Sequence, residues 1–563
     1  MGQTASSGTG TTGNVLQFES QRDLLGYFAA RATKQFTTPE LVAFKSNLKG
    51  KGQNDKVSVE EMLRLLKIPL GNELLADLLY NCIKTLSNFP LIRESYDDIT
   101  VAGLLKSCIL LNHDRCIEYV GFKNYDQLKL IYIALALRKT VKELPSSPDP
   151  AKPWDAKSII RNYNSVDIDD LYVPADSMLQ LLTLSLVLSR HCTVNNAKIQ
   201  ESAFQHWDDY KANAMNLLRT MNPDIVNAQD TVQCVISFEQ FSNAIAAVFP
   251  QVLKPLEILV EHMLYLDRDL TDELNSTPMP STSKLVTEPL LAQLSTMLPK
   301  ELVYSKLRKL YVGRESGFSM RSFQSKAFKW MAPSILLIGG MRITDDQEYA
   351  TTKNPRYKKF LEEYPRLKDK DQHIIDPCSL NRRKLLFAVY INEPWKVTNK
   401  ELFGDLKTTV VQLSPKQELF KAVRTGNVYF NTLGGGIGVG CAQPVIKPNG
   451  KKYFPGNVSL TIDSSLEFAS FRHVGYGGAI SPGTLMTKLE EEKTTFEYKF
   501  IVQDVEVWGC GGEKELQEQI KQWEWEEAEA KRRQRINLQS IGEDRALLEM
   551  AGLVGQHQSG GSM

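Results

Sequence analysis

"NVYFNTLGGGIGVG", residues 427–440, sets five glycines into the seven positions from Gly434 to Gly440, directly after an aromatic run with strand character. Two architectures depend on how this stretch is read. A dinucleotide loop needs G-x-G-x-x-G between a strand and a helix, which would imply a parallel sheet; here Gly434–Gly436 leads to Val439 and Gly436–Gly438 leads to Cys441. No Lys-Ser/Thr follows, so a P-loop is excluded as well. The next residues, "CAQPVIKPNG" (441–450), carry prolines where a helix would have to open. Strand, glycine bend, strand is the remaining reading, with the cluster serving as a tight bend or as a seat for a partner's surface.

The neighbouring sequence agrees with an antiparallel β body. "ILLI" (335–338) and "LLFAVYI" (385–391) are near-continuous apolar runs that suit strands buried on both faces. "NVSLTID" (457–463) alternates, with Val458, Leu460 and Ile462 on one side and Ser459, Thr461 and Asp463 on the other. "FEYKF" (496–500) and "VEVW" (505–508) alternate likewise. Seven or eight such strands between Gly, Pro and Asn turns predict a two-sheet β-sandwich, with a helix near 316–330 turning Met320, Phe323, Ala327 and Trp330 inward.

Residues 21–266 follow a helical period instead, and a local unit recurs: "VSVEEM" (57–62), "ITVAGL" (99–104) and "ISFEQF" (236–241), with a weaker copy in "YVPADSML" (172–179). Each is a short strand, a capping residue and a helix start; Ser58 with Glu61 and Ser237 with Gln240 form capping-box pairs. That is the pattern of the second half of an EF-hand, which raises the question of calcium ligands in each loop. With Val57 as the central strand residue, Gly50, Gly52 and Asn54 fall on the first three ligand positions, Asp55 where glycine is needed, and Glu61 last. The loop before Ile236 offers Gln229, Thr231, Gln233, Cys234 at the turn, and Gln240 in place of the bidentate carboxylate. Both lack the charge that holds the ion, which predicts a metal-free, EF-hand-like helical platform.

The chain has 563 residues, enough for two or three folded units. With 67 basic against 66 acidic residues, no global field points to nucleic acid. The eight cysteines form no C-x-x-C pair and the seven histidines are scattered, so neither a metal nor a cofactor is expected, and the cysteines read as buried thiols of a reducing compartment. The N-terminus lacks an apolar secretory core, but "MGQTASSG" fits M-G-x-x-x-[ST], the pattern for N-myristoylation at Gly2. One acyl chain holds a membrane only marginally, and no basic residue precedes Arg22, so stable docking calls for a membrane-resident partner.

Taken together, "LVYSKLRKLYVGRESGFSMRSF" (302–323), "ILLIGG" (335–340), "FAVYINEPWKVTNKELFGD" (387–405), "VVQLSP" (410–415), the glycine cluster, "LTIDSSLEFASFRHVG" (460–475) and "FEYKFIVQDVEVWGCGG" (496–512) resemble the TLDc-domain family, in particular the fungal restriction of telomere capping protein 5 family. The resemblance implies a two-sheet antiparallel sandwich flanked by short helices. It also implies a non-enzymatic adaptor that binds subunits of the vacuolar-type proton pump (V-ATPase) and modulates its assembly, with a role in protection against oxidative stress. The telomere link in the name is a genetic label. The expected location is cytoplasmic, peripheral to the vacuole membrane through the Gly2 lipid.

The fold expected is therefore α+β and multidomain: a flexible acylated tail (1–20), an EF-hand-like helical half (21–266), a linker (267–288), a TLDc sandwich (289–512) and an amphipathic helical tail (513–563). Trp395, Gly404, Asp405, Gly434, Gly436, Gly438, Trp508 and Gly509 are the motif residues, structural or partner-binding. The rival is a redox or catalytic site drawing on Cys510, Cys441 or His473, of which Cys510 in "WGCGG" could be an exposed thiol. Residues 342–384, dense in charge, are read as a solvated insertion that shorter family members lack. In the tail, Leu516, Ile520 and Trp523 form one stripe and Leu547, Met550 and Val554 another, suited to folding back or to docking on a partner.

Overall fold

The computed structural model describes residues 17–533, apart from 93–97, 140–153, 195, 273, 275–278, 345–350, 366, 368–383, 449, 487–494, 522, 526–527 and 530. Gly2 and the stripe Leu547, Met550 and Val554 lie outside the described residues. The architecture is α+β, with many helices followed by an antiparallel sheet.

In the helical half, β1 (Gln17–Phe18), β2 (Leu137–Arg138), β3 (Trp154–Asp155), β4 (Leu171–Pro174) and β5 (Val235–Ile236) are short connectors between helices. The recurring units meet in pairs. Lys56 bridges Thr100, Val57 N–H donates to Ile99 O at 2.8 Å, and Val101 N–H donates to Asp55 O at 3.1 Å. β4 pairs with β5 so that Val173 faces Ile236. The helix starts are those that the capping residues predict: Ser58 with Glu61 and Ser237 with Gln240 make complete capping boxes, and Thr100 accepts from Gly103 N–H. The fourth unit opens on Pro174 with no side-chain cap, which is why its sequence signal is weaker.

The second half contains β6 (Leu307–Val312), β7 (Ser334–Arg342), β8 (Lys384–Ile391), β9 (Thr409–Ser414), β10 (Glu418–Lys421), β11 (Val428–Asn431), β12 (Gly436–Val439), β13 (Ala442–Lys447), β14 (Gly450–Phe454), β15 (Val458–Ile462), β16 (Phe468–His473) and β17 (Phe496–Cys510). Ten of them form one antiparallel sheet in the order β10-β9-β8-β7-β17-β16-β15-β12-β11, with β6 also on β17, while β13 and β14 form a separate hairpin. Three strand spacings separate β8 from β16, about 14 Å across a flat sheet. Yet the Phe387 and Phe471 rings lie 4.8 Å apart, and Phe420 of β10 lies 5.3 Å from Phe471. The sheet is folded over so that its two ends face each other. Where two separate sheets were expected, hydrogen bonding runs unbroken through β17.

That strand corrects a second expectation. "FEYKF" and "VEVW" are one strand of 15 residues, not two. Its first residues pair with β16, its middle and end with β7, and its last with β6, and an irregularity between Val502 and Asp504 absorbs the bend.

The described part of 342–384 is solvated on one face and buried on the other. Helix Pro355–Glu363 buries Tyr357, Phe360 and Leu361, and with Tyr364 they pack on Tyr453 of β14 and Phe468 of β16. Positions 357, 360 and 364 share a helix face, so a narrow aromatic stripe sits among the charges that dominate the local composition. Arg472 secures it, donating to Pro365 O and pairing with Glu497 at 2.6 Å. At the other end of the body, Gln519 is buried and Trp523 packs against the apolar core, so the described part of the tail folds back.

Polar groups join the two halves. Gln293 on helix Glu288–Ser295 donates to Leu413 O and Gln417 Oε1, both at 2.9 Å, and accepts from Asn213 at 2.9 Å. Arg219 donates to Pro415 O at 3.1 Å and Thr220 to Gln417 O at 2.6 Å. The last part of the stretch read as linker already belongs to the β body: Val286 is fully buried with Ile335, and Ser283 donates to Glu506 at 2.6 Å.

Candidate functional site

The motif residues serve as scaffold in separate places, Trp395 in one core cluster and Trp508 in another. Trp395 is 3% exposed; Phe323, Phe328, Phe403 and Phe430 surround it, and its indole N–H donates to Ser334 Oγ at 2.9 Å. Trp508 is fully buried and donates to Glu506 at 2.9 Å. Glu506 also accepts from Ser283 and from Leu285 N–H, so one buried carboxylate ties the domain's entry segment to its last strand. Asp405 pins the turn after Gly404 by accepting from Asn392 at 2.8 Å and Lys407 N–H at 2.9 Å. Gly509 lies under the Trp330 indole, where a Cβ would come within 2.4 Å of the ring.

The glycine cluster is a hairpin. Asn431 pairs with Gly436, and the turn between them is held by Asn431 Oδ1, which accepts from Leu433 N–H at 2.9 Å and Gly435 N–H at 3.1 Å. Gly434 lies in the turn. Gly436 has φ 74°, and a Cβ there would meet Ile462 O at 2.1 Å; a Cβ on Gly438 would strike the Tyr429 ring at 2.2 Å. Both glycines are required by close approach to neighbouring strands.

The groups that a redox or hydrolytic reading would use are packed away. Cys510 is 6% exposed within an apolar cluster, and burial pushes its thiol well above the ordinary cysteine range. Cys441 is raised by burial too, with Thr461 Oγ1 at 3.3 Å. His473 is fully buried, stacked on Phe496 at 5.3 Å, with Nε2 3.0 Å from Pro482 O. Among the described residues, no three His, Cys, Asp or Glu side chains gather as for a metal.

Around the glycine turn, the segment 397–401 and the β13–β14 hairpin are stitched to it as one rim. Thr432 N–H donates to Asn399 Oδ1 at 3.0 Å, Asn431 donates to Gln443 at 3.0 Å, Gln443 donates to Glu401 O at 2.8 Å, and Lys451 donates to Gly434 O at 3.0 Å. This rim exposes Leu433 (64%), Val397 (41%) and Val445 (46%). Apolar side chains held outward by a rigid polar frame suit a protein contact. No local pattern flags them, because the rim exists only once the three segments meet.

In the helical half, loop 50–61 holds its own cation. Lys51 Nζ donates to Glu61 at 2.6 Å and to Lys56 O at 2.9 Å. Those acceptors stand where a calcium loop places its twelfth-position carboxylate and seventh-position carbonyl. Lys51 is the main cause holding the Glu61 carboxyl below its ordinary range. Among the described residues, no helix is long and apolar enough to cross a membrane.

A folded-over antiparallel body built on Trp395, the glycine hairpin and Trp508 is matched by the TLDc domain family, whose model covers residues 279–511. Over full length, the chain is 57% identical to restriction of telomere capping protein 5 of Lachancea thermotolerans, covering 100% of both chains. It is 55% identical to the Kluyveromyces lactis protein of that name, covering 96% of each, and 54% identical to that of Saccharomyces cerevisiae strain S288c, covering 97% of each. The chain belongs to the restriction of telomere capping protein 5 family, within the TLDc-domain proteins.

Proposed function

We propose that this protein is a non-enzymatic adaptor that binds the vacuolar-type proton pump and modulates its assembly from the cytoplasmic side of the vacuole membrane, tethered there by a myristoyl group on Gly2. The observation that carries this reading is the division of labour within the TLDc body. Its motif residues are spent on packing, while Val397, Leu433 and Val445 are turned outward on a rim framed by side-chain hydrogen bonds. Membership of the TLDc family supports the choice of partner. The relatives' name adds a link to telomere capping, which in this reading is an indirect consequence and not a contact with DNA.

The helical half fits an EF-hand-like platform in which Lys51 stands in for the ion, and the β body fits a sandwich whose two layers are ends of one sheet. Co-purification tests the reading. Wild type should bring down pump subunits from vacuolar extracts, and Leu433→Asp should lose them while keeping the same thermal transition; equal recovery by both would remove the rim from the account. Gly2→Ala should reduce recovery on vacuolar membranes.

A further inference from the structure

The helical half contains a groove that neither the TLDc body nor the loops discussed above use. It has a volume of about 580 Å³, within the range of small-ligand sites. Leu128 and Ile131 of helix Gln127–Leu135 form one wall, and Ile245, Ala246 and Leu256 the other. Most of its polar rim is already partnered: His113 Nδ1 lies 2.8 Å from Gln127, Gln127 donates to Leu110 O, and Lys254 pairs with Glu257 at 2.7 Å, while the buried Tyr125 hydroxyl has no partner among the described residues. Leu111, Ile131 and Leu256 also line a second gap of about 20 Å³, otherwise lined only by apolar residues and Cys82. That space offers a water no polar partner.

An open mouth between walls of Leu128, Ile131, Ile245 and Leu256 suits a chain of methylene groups. The N-terminal segment is within reach of it. The described chain begins at β1, which pairs with β3; β3 opens helix Ala156–Arg161, about 9 Å long. Just past that helix, Tyr163 stacks on Tyr125 at 5.5 Å and donates to Asp126 O at 2.9 Å, and both Tyr125 and Asp126 line the groove. The sixteen residues before Gln17 can span about 50 Å when extended.

We propose that this groove binds the saturated acyl chain carried by Gly2, so that the lipid is either sheltered in the helical half or inserted in the bilayer. The proposal rests on the tether reading above. Both environments remove the same apolar surface from water, so they compete, and whatever closes the groove drives the chain to the membrane.

Two arms test it on the full-length chain. In the first, non-acylated Gly2→Ala protein is titrated with 11-(dansylamino)undecanoic acid. Saturable, blue-shifted emission is expected, and Ala246→Trp at the mouth or Leu128→Glu in the wall should weaken binding at least about tenfold with an unchanged thermal transition. In the second, protein acylated by a co-expressed N-myristoyltransferase is floated with phosphatidylcholine/phosphatidylserine vesicles, and Ala246→Trp should raise the bound fraction at least about threefold. No saturable fatty-acid binding, or equal flotation of wild type and Ala246→Trp, overturns the proposal. Mass spectrometry of the N-terminal peptide from cells decides the tether separately: an unmodified Gly2 ends that reading and this occupant together, whereas fatty-acid binding in the first arm would still assign the groove.

Discussion

Lys51 and Glu61 meet at 2.6 Å across the loop 50–61, with the ammonium also held by Lys56 O at 2.9 Å. Gly50 and Gly52 leave two calcium-ligand positions of this loop without a side-chain oxygen. Lys51 is not legible as the substitute, because it occupies a position that is not a ligand in the calcium pattern and only its long side chain brings the charge inward.

The loop should therefore be indifferent to calcium: millimolar calcium should leave the thermal midpoint of the full chain unchanged. Lys51→Met should cost about 0.2–1 kcal/mol, the scale of a partly exposed ion pair, read by urea denaturation. The sign with pH follows from Glu61, whose carboxyl is held down chiefly by its hydrogen bond from Lys51. Its contribution is complete above the ordinary carboxylate range and is lost as pH falls through the lower folded value. Lys51→Met should flatten that acid limb, and an identical limb in both proteins would contradict the pairing.

Trp395 fills an aromatic cage and satisfies its N–H on Ser334. Trp395→Ala should destabilise the β body by about 3–5 kcal/mol in denaturant unfolding. A loss below about 1 kcal/mol would mean that the indole is not a core plug.

Cys510 should react slowly with thiol reagents at neutral pH in the native protein and quickly once unfolded, since burial disfavours its thiolate. Cys510→Ser should leave peroxide consumption unchanged. Rapid native labelling together with peroxide turnover that Cys510→Ser abolishes would restore the redox reading.

Arg472 links Glu497 to the end of the helix at Pro355–Glu363, and its side chain is 13% exposed against 1% for Glu497. Arg472→Met leaves a buried carboxylate without its charge partner and should cost about 3–5 kcal/mol. Hydrogen exchange should rise first across residues 355–364, and unchanged protection there would refute the anchoring role.

What could be read in the chain was local chemistry. The Ser58 and Ser237 capping boxes depend on residues a few positions apart, and the structure has them as read; the strand at 458–462 is present too, but buried at every position. Longer-range features were hidden. The polar residues between Phe500 and Val505 look like a turn, yet they lie in a strand whose irregularity carries the fold from one layer to the other. Tyr357, Phe360 and Tyr364 were masked by their charged neighbours. Leu433, Val397 and Val445 become a surface only when side-chain hydrogen bonds draw three segments together.

The proposed contact with the proton pump is the outer rim of the β body. Crosslinking mass spectrometry on intact vacuoles reads it out, with Lys396, Lys400, Lys451 and Lys452 beside the rim as reporters. The account predicts crosslinks from these lysines to pump subunits that disappear in Leu433→Asp; pump subunits absent from every rim crosslink, or crosslinks unchanged by that substitution, would contradict it.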